Sequence, residues 1–134
     1  MASIDVRLET DLDLTVFTVH GDLLAEEIIH AIQTEYASTP TGNILWDLTD
    51  STIEHITVDG FRRVATVARA LRTSGSGAKT AYVGGEDLGY GLLRMYTALA
   101  EAAGIQVQYE VFRSLQEAYK WLGGRRRGDR ANAV

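Results

Sequence analysis

The feature that most constrains this chain is a hydrophobic period that switches repeatedly between two and about 3.6 residues, the strand and helix repeats. Ile4, Val6 and Leu8 alternate with Asp5, Arg7 and Glu9, as a half-buried strand does. The polar stretch Thr10 to Asp13 supplies a turn, and Leu14 to His20, rich in β-branched and aromatic residues, completes a hairpin. Leu24, Ile28, Ile32 and Tyr36 then recur at helical spacing behind Asp22, a plausible N-cap, with Glu26 and Glu27 suited to the positive end of the helix dipole. Thr39-Pro40-Thr41-Gly42 breaks that helix, and Asn43 to Leu48 is a short apolar run, as in a central strand.

The alternation continues. A second helix starts near Thr57 with Phe61, Val64, Ala65, Ala68 and Leu71 on one face, and Gly75-Ser76-Gly77 stops it. Lys79 to Val83 is a strand. A third helix, capped by Asp87, carries Leu88, Leu92, Met95, Tyr96 and Leu99, and Gly104 suits a left-handed end. Ile105 to Phe112 is the last strand. Ser114-Leu115-Gln116-Glu117 is a capping box for a fourth helix with a stripe of Leu115, Ala118, Tyr119 and Leu122, closed by Gly123-Gly124.

The order β-β-α-β-α-β-α-β-α predicts one α/β domain over 3–123, with a mixed, mostly parallel five-stranded sheet and four helices. Residues 124–134, opening with Arg125-Arg126-Arg127, lack periodicity and read as a mobile basic tail. At 134 residues there is room for one core only. The absence of cysteine excludes disulfides, thiolate metal sites and cysteine nucleophiles. Neither a signal peptide nor a run of about 20 apolar residues is visible, so the expected location is the cytoplasm. Residues 1–60 hold twelve acidic side chains and one basic one, and residues 61–134 hold six acidic and twelve basic. The simplest meaning is that the halves pair on folding. A net charge of −5 argues against nucleic acid as the main partner.

The stretches Ala81-Tyr82-Val83, Leu88 to Tyr96, Val111 to Ala118 and Trp121-Leu122, within this order of elements, resemble a stand-alone STAS domain of the SpoIIAA-like group. That group has the fold of bacterial anti-sigma-factor antagonists. The resemblance spans about residues 3–122 and implies a regulatory, protein-binding role. In antagonists an Asp-Ser-Ser-Gly turn carries the phosphorylated serine. The matching segment here is Thr57-Val58-Asp59-Gly60, which keeps the glycine and has Asp59 at the phosphoacceptor position. The resemblance thus singles out Thr57, Asp59 and Gly60, with Arg62 and Arg63 beyond them, as candidate partner-binding residues.

Two polar segments could hold a ligand. Asp47, Asp50 and Ser51 lie in the stretch Asp47 to Asp59, after a strand end, where open α/β sheets place their sites. Its carboxylates could hold Mg²⁺ or Ca²⁺, but their spacing fits no metal loop, and Asp50 and Ser51 read as a turn. Gly84-Gly85-Glu86-Asp87-Leu88-Gly89-Tyr90-Gly91 joins a strand to a helix, and such a start can cradle an anion. Gly85, Gly89 and Arg94 are its candidates, yet no Gly-Lys-Ser/Thr follows and Glu86 and Asp87 oppose a phosphate. His20, His30 and His55 are scattered. No catalytic set, metal site or cofactor is expected.

The reading that follows is a non-enzymatic interaction or regulatory module. A small-ligand (lipid-like or anionic) binder is the alternative, and a small metal-dependent hydrolase is less favoured. The large aromatics Trp46, Tyr90, Tyr96, Tyr109 and Trp121 point further to a homodimer that helps to cover them.

Overall fold

In the computed structural model the described residues are 2–38, 41–72, 78–104 and 107–123, with the side chains of 37 and 38 left out. The breakers at 39–40 and 75–77, the start of the last strand at 105–106 and the basic tail at 124–134 lie outside them. The elements are β1 (Ser3–Glu9), a single 3-10 turn (Thr10–Leu12), β2 (Leu14–Asp22), α1 (Ala25–Ser38), β3 (Asn43–Thr52), α2 (Val58–Leu71), β4 (Lys79–Val83), α3 (Asp87–Ala102) and β5 (Gln108–Phe112). A last helix, α4, covers 115–123.

The five strands form one sheet in the order β1-β2-β3-β4-β5. β1 and β2 are antiparallel, and every later pair is parallel. This is the mixed α/β sheet expected from the switching period. All five residues of β4 are buried, since helices cover both faces of a central parallel strand.

On one face α1, α2 and α3 pack against Phe17, Val19, Ile44, Trp46, Leu48, Tyr82 and Val111. On the other, Ala118 and Leu122 of α4 cover Leu14, Val16, Leu45, Ala81 and Val83. Lys79 is only 5% exposed. Its ammonium donates to the Trp121 carbonyl at 2.9 Å and lies 4.8 Å from the centre of that indole, fastening the end of α4 to the sheet. Arg72, past the end of α2, donates to the Thr41 and Gly42 carbonyls at 3.1 and 2.9 Å, so it ties α2 to the start of β3.

Several local expectations are corrected. Asp22 ends β2 and accepts a hydrogen bond from Thr52 instead of capping α1. The α1 start is served by Glu27, whose carboxylate accepts from the Leu24 amide at 2.9 Å. β3 runs on to Thr52, so Asp50 and Ser51 are strand and not turn. Glu86, not Asp87, occupies the N-cap of α3, and its side chain makes no capping bond. The buried stripe of α3 is Leu93, Tyr96 and Ala100, one position on from the expected Leu88 and Leu92. Gly104 does take the left-handed conformation, at φ 85°.

Of the five aromatics expected to need a partner, Trp46 and Tyr96 are buried within the chain, and Tyr90, Tyr109 and Trp121 are half-buried. Cover for aromatic rings is therefore not a ground for a homodimer.

Candidate functional site

Each of β2, β3, β4 and β5 leads into a helix, so all four helix starts gather at the end of the sheet where the parallel strands finish. Six large apolar side chains are exposed among the described residues, and four of them stand at these starts. Leu24 precedes α1, Val58 opens α2, Leu88 is the second residue of α3 and Leu115 opens α4. They are 38% to 54% exposed. Three of them belong to the helical stripes anticipated as inward-facing.

A cleft of about 260 Å³ opens between the end of β3 and the β4–α3 turn. Leu48, Ile53, Leu88 and Leu92 supply apolar wall, Asp50, Glu54 and Glu86 supply carboxylates, and Thr49, Ser51, Thr52, Gly84, Gly85 and Gly89 complete the lining. Four of the six anticipated ligand residues thus share one cleft: Asp50, Ser51, Gly85 and Gly89. Asp47 is absent from the lining. Its carboxylate accepts from the Thr49 amide and hydroxyl at 3.1 and 2.5 Å. Arg94 is also elsewhere, on the exposed side of α3 with its guanidinium 5.9 Å from the Tyr90 ring centre.

The polar residues here are largely occupied by structure. The Ser51 hydroxyl donates to the Gly21 carbonyl at 2.8 Å, and Thr52 donates to Asp22, so the two hydroxyls zip the overhang of β3 to that of β2. The Thr52 bond, followed by burial against it and the charge of His55, leaves the Asp22 carboxyl below its ordinary range. Asp50 lies 3.7 Å from the His20 imidazole. Among the described residues no three His, Asp or Glu side chains converge as a metal site. Glu54, Glu86 and Leu92 are lining residues that sequence reasoning did not single out. For Glu86 a signal existed, as the neighbour of Gly85 in the glycine-rich turn.

The five partner-binding candidates lie together on the first turns of α2. Thr57 caps the helix, its hydroxyl accepting from the Gly60 amide at 2.9 Å. Gly60 is buried because a Cβ there would stand 3.2 Å from the Ala25 Cβ and 3.2 Å from the Ile56 Cγ2. Asp59 and Arg62 are exposed. Arg63 pairs with Glu26 of α1 at 3.1 Å, one ion pair that does join the acidic and basic halves. The Glu26 carboxyl is held below its ordinary range by a backbone hydrogen bond and then by Arg63.

Gly84 sets the depth of the cleft. A Cβ there would meet the Leu93 Cδ1 at 2.9 Å and the Gly89 backbone carbon at 3.2 Å, so Gly84 lets α3 lie against the end of β4. Gly91, in the same segment, would meet nothing within 4 Å. Gly84→Ala is therefore expected to cost about 1–3 kcal/mol by overpacking. Gly91→Ala should gain about 0.5–1 kcal/mol from helix propensity. Urea midpoints of the two variants check both signs. Equal effects would mean that the close approach at Gly84 is wrong.

No family profile matches the chain, and no curated protein does. Solved structures do. One is an anti-sigma-factor antagonist from Mycobacterium paratuberculosis, 14% identical, with a TM-score of 0.62 over 91% of this chain and 94% of that one. Another is an uncharacterised DUF3478-family protein with a SpoIIAA-like fold from Shewanella loihica, 15% identical, with a TM-score of 0.54 over 90% of this chain and 93% of that one. With its sequential five-stranded sheet, three helices on one face and one on the other, the chain has the SpoIIAA-like fold.

Proposed function

We propose that the chain is a non-enzymatic, STAS-type interaction or regulatory module that docks a protein partner on the helix-start end of its sheet. The observation that carries this reading is the gathering there of Leu24, Val58, Leu88 and Leu115, exposed apolar side chains at the four helix starts, of which Leu88 also lines the polar cleft. Interfaces combine exposed apolar side chains with polar groups, and this end offers both. The fold shared with an anti-sigma-factor antagonist supports the same reading. Hydroxyls that could serve as nucleophiles are engaged in structure: Ser51 with Gly21, Thr52 with Asp22, and Ser114 with the Glu117 amide at 3.2 Å.

Docking is constitutive with respect to position 59, because an aspartate offers a charge and no hydroxyl to modify. The module works in the cytoplasm as a homodimer. No described helix is long and apolar enough to cross a membrane.

A small-ligand reading gains less. The cavity between the sheet and α1–α3, lined by Tyr36, Trp46, Tyr82 and Tyr96 among others, measures about 30 Å³. That is room for about two waters and not for an acyl chain. The carboxylates of the cleft oppose an anion.

The test uses the protein that the wild-type chain retains from its own cell extract, identified by mass spectrometry and then prepared pure. Val58→Asp and Leu88→Asp should each weaken that pure complex by about tenfold or more, as loss of an interface apolar anchor does. Lys120→Glu, on the exposed side of α4, should leave it unchanged. Affinity unaltered by both aspartates would rule out docking at this end.

A further inference from the structure

We propose that two copies of this chain pair edge to edge through β1, antiparallel, about a two-fold axis at Val6. This names the surface of the homodimer in the functional reading above and rests on that part of it.

Among the described residues β1 is an edge strand, bonded to β2 alone. Natural edges are usually short, carry charged side chains or proline, or are twisted away by a bulge. β1 is seven residues long and keeps an unbroken register with β2 from Ser3 to Glu9; it has no proline, and its charges, Asp5, Arg7 and Glu9, are of mixed sign on one face. Val6 and Leu8, on its α1 face, are 38% and 48% exposed. They are the two large exposed apolar side chains that the helix starts do not account for. Beside them runs a groove of about 440 Å³ floored by Ala2, Ile4 and Val6 and flanked by α1.

The sequence of β1 chooses the occupant. Pairing about Val6 sets Val6 against the partner's Val6 and Ile4 against the partner's Leu8, on the α1 face. On the opposite face it sets Asp5 against the partner's Arg7, and Arg7 against the partner's Asp5. Directly opposed side chains in antiparallel strands lie within contact, so opposite charges attract and like charges repel there.

Neighbouring registers do worse. Pairing about Asp5 opposes that carboxylate to its own copy. Pairing about Arg7 opposes Arg7 to its copy and Asp5 to the partner's Glu9. A shift by a single position mixes the apolar face with the charged one. Arg7 is available for the contact: it bonds Glu9 and Tyr119 within its own chain, yet its side chain is 58% exposed.

The pairing also continues an internal pattern. Val6, Phe17, Trp46, Tyr82 and Val111 are register neighbours across all five strands on the α1–α3 face. Joining Val6 to the partner's Val6 extends this row into a ten-stranded sheet.

The experiment is light scattering and sedimentation of the full chain and two charge variants. Wild type should sediment at twice the mass of one chain. Asp5→Arg opposes two arginines at each pair and Arg7→Asp opposes two aspartates, so each alone should dimerise about tenfold more weakly. Mixed together, the two variants should form a heterodimer, because arginines of one chain then face aspartates of the other. That rescue also shows that both variants fold. A wild-type chain that stays monomeric at the highest reachable concentration would overturn the homodimer itself. A dimer indifferent to both substitutions would overturn this surface while leaving the homodimer in place.

Discussion

Raised past about pH 11, the chain is expected to unfold in one cooperative step, because its core is built around phenols that cannot ionise in place. Burial pushes the pKa of Tyr36 up, against the bond from Trp46. Burial raises Tyr82 and Tyr96 far more, and it raises Tyr109 as well. Tyr119 is pushed up to about 12, first by burial and then by its hydrogen bond to Glu9. Each of these folded-state values lies above the unfolded value of about 10. The stability they contribute is therefore complete below pH 10 and is lost as the pH climbs toward the folded values.

Tyr36, Tyr82 and Tyr96 are buried. Each unfavourable proton costs about 1.4 kcal/mol per pH unit, so Tyr82 and Tyr96, the two raised furthest, together remove roughly 5 kcal/mol by pH 12. A domain of ordinary stability, about 5–15 kcal/mol, gives way in that range. Tyrosinate absorbance and far-ultraviolet circular dichroism should change together. Tyrosinate appearing with the dichroism intact would show that these phenols are accessible. Tyr109→Phe is the clean control, since that buried hydroxyl has no hydrogen-bond partner among the described residues. It should not lower neutral stability, since the hydroxyl it removes is buried without such a partner, and it should move the alkaline midpoint up by a few tenths of a unit.

The architecture was legible because the signals that carry it are local. Period-two runs, period-3.6 runs and the breakers between them sort β1 to β5 and the helices correctly. What escaped was decided by partners distant in sequence. Thr49-Asp50-Ser51-Thr52 has the composition of a turn, and only its register with His20, Gly21 and Asp22 makes it strand. Asp22 resembles a cap until Thr52 is seen to claim its carboxylate. Leu88 and Leu92 fit a helical stripe as well as Leu93 does, and the position of β4 beneath the helix selects Leu93. Lys79, a charge in a strand, gives no hint of burial until Trp121 supplies a carbonyl and a ring face.

The candidate site was half legible for the same reason. Asp50 and Ser51 sit at the end of β3, and Gly85 and Gly89 in the turn and helix start after β4, places which the alternation of elements locates, so their meeting in one cleft follows from topology. The exposed apolar side chains at the helix starts followed from no local pattern. Leu24, Leu88 and Leu115 carry the periodicity of core positions and are exposed all the same.

The largest mutational effect is expected at the middle of the aromatic row. Phe17 stacks on Trp46 with ring centres 4.2 Å apart and planes 7° from parallel, and it meets Tyr36 at 5.9 Å. The Trp46 indole N–H donates to the Tyr36 hydroxyl at 3.1 Å, closing the group with a buried hydrogen bond. Trp46→Ala opens a cavity between the sheet and α1 and removes the donor to Tyr36, a loss of about 4–5 kcal/mol. At about 3–5 °C per kcal/mol for a domain near this size, the thermal midpoint falls by roughly 15–20 °C. Phe17→Ala should cost about 3–5 kcal/mol, and Phe17→Leu, which restores much of the volume, about 1.5 kcal/mol or less. Because the two rings touch, the alanine costs should not add. A double-mutant cycle should return a coupling of about 1 kcal/mol from the stacked pair. Strictly additive costs would mean that the stack contributes nothing beyond the area each ring buries, and that the row is held by volume alone.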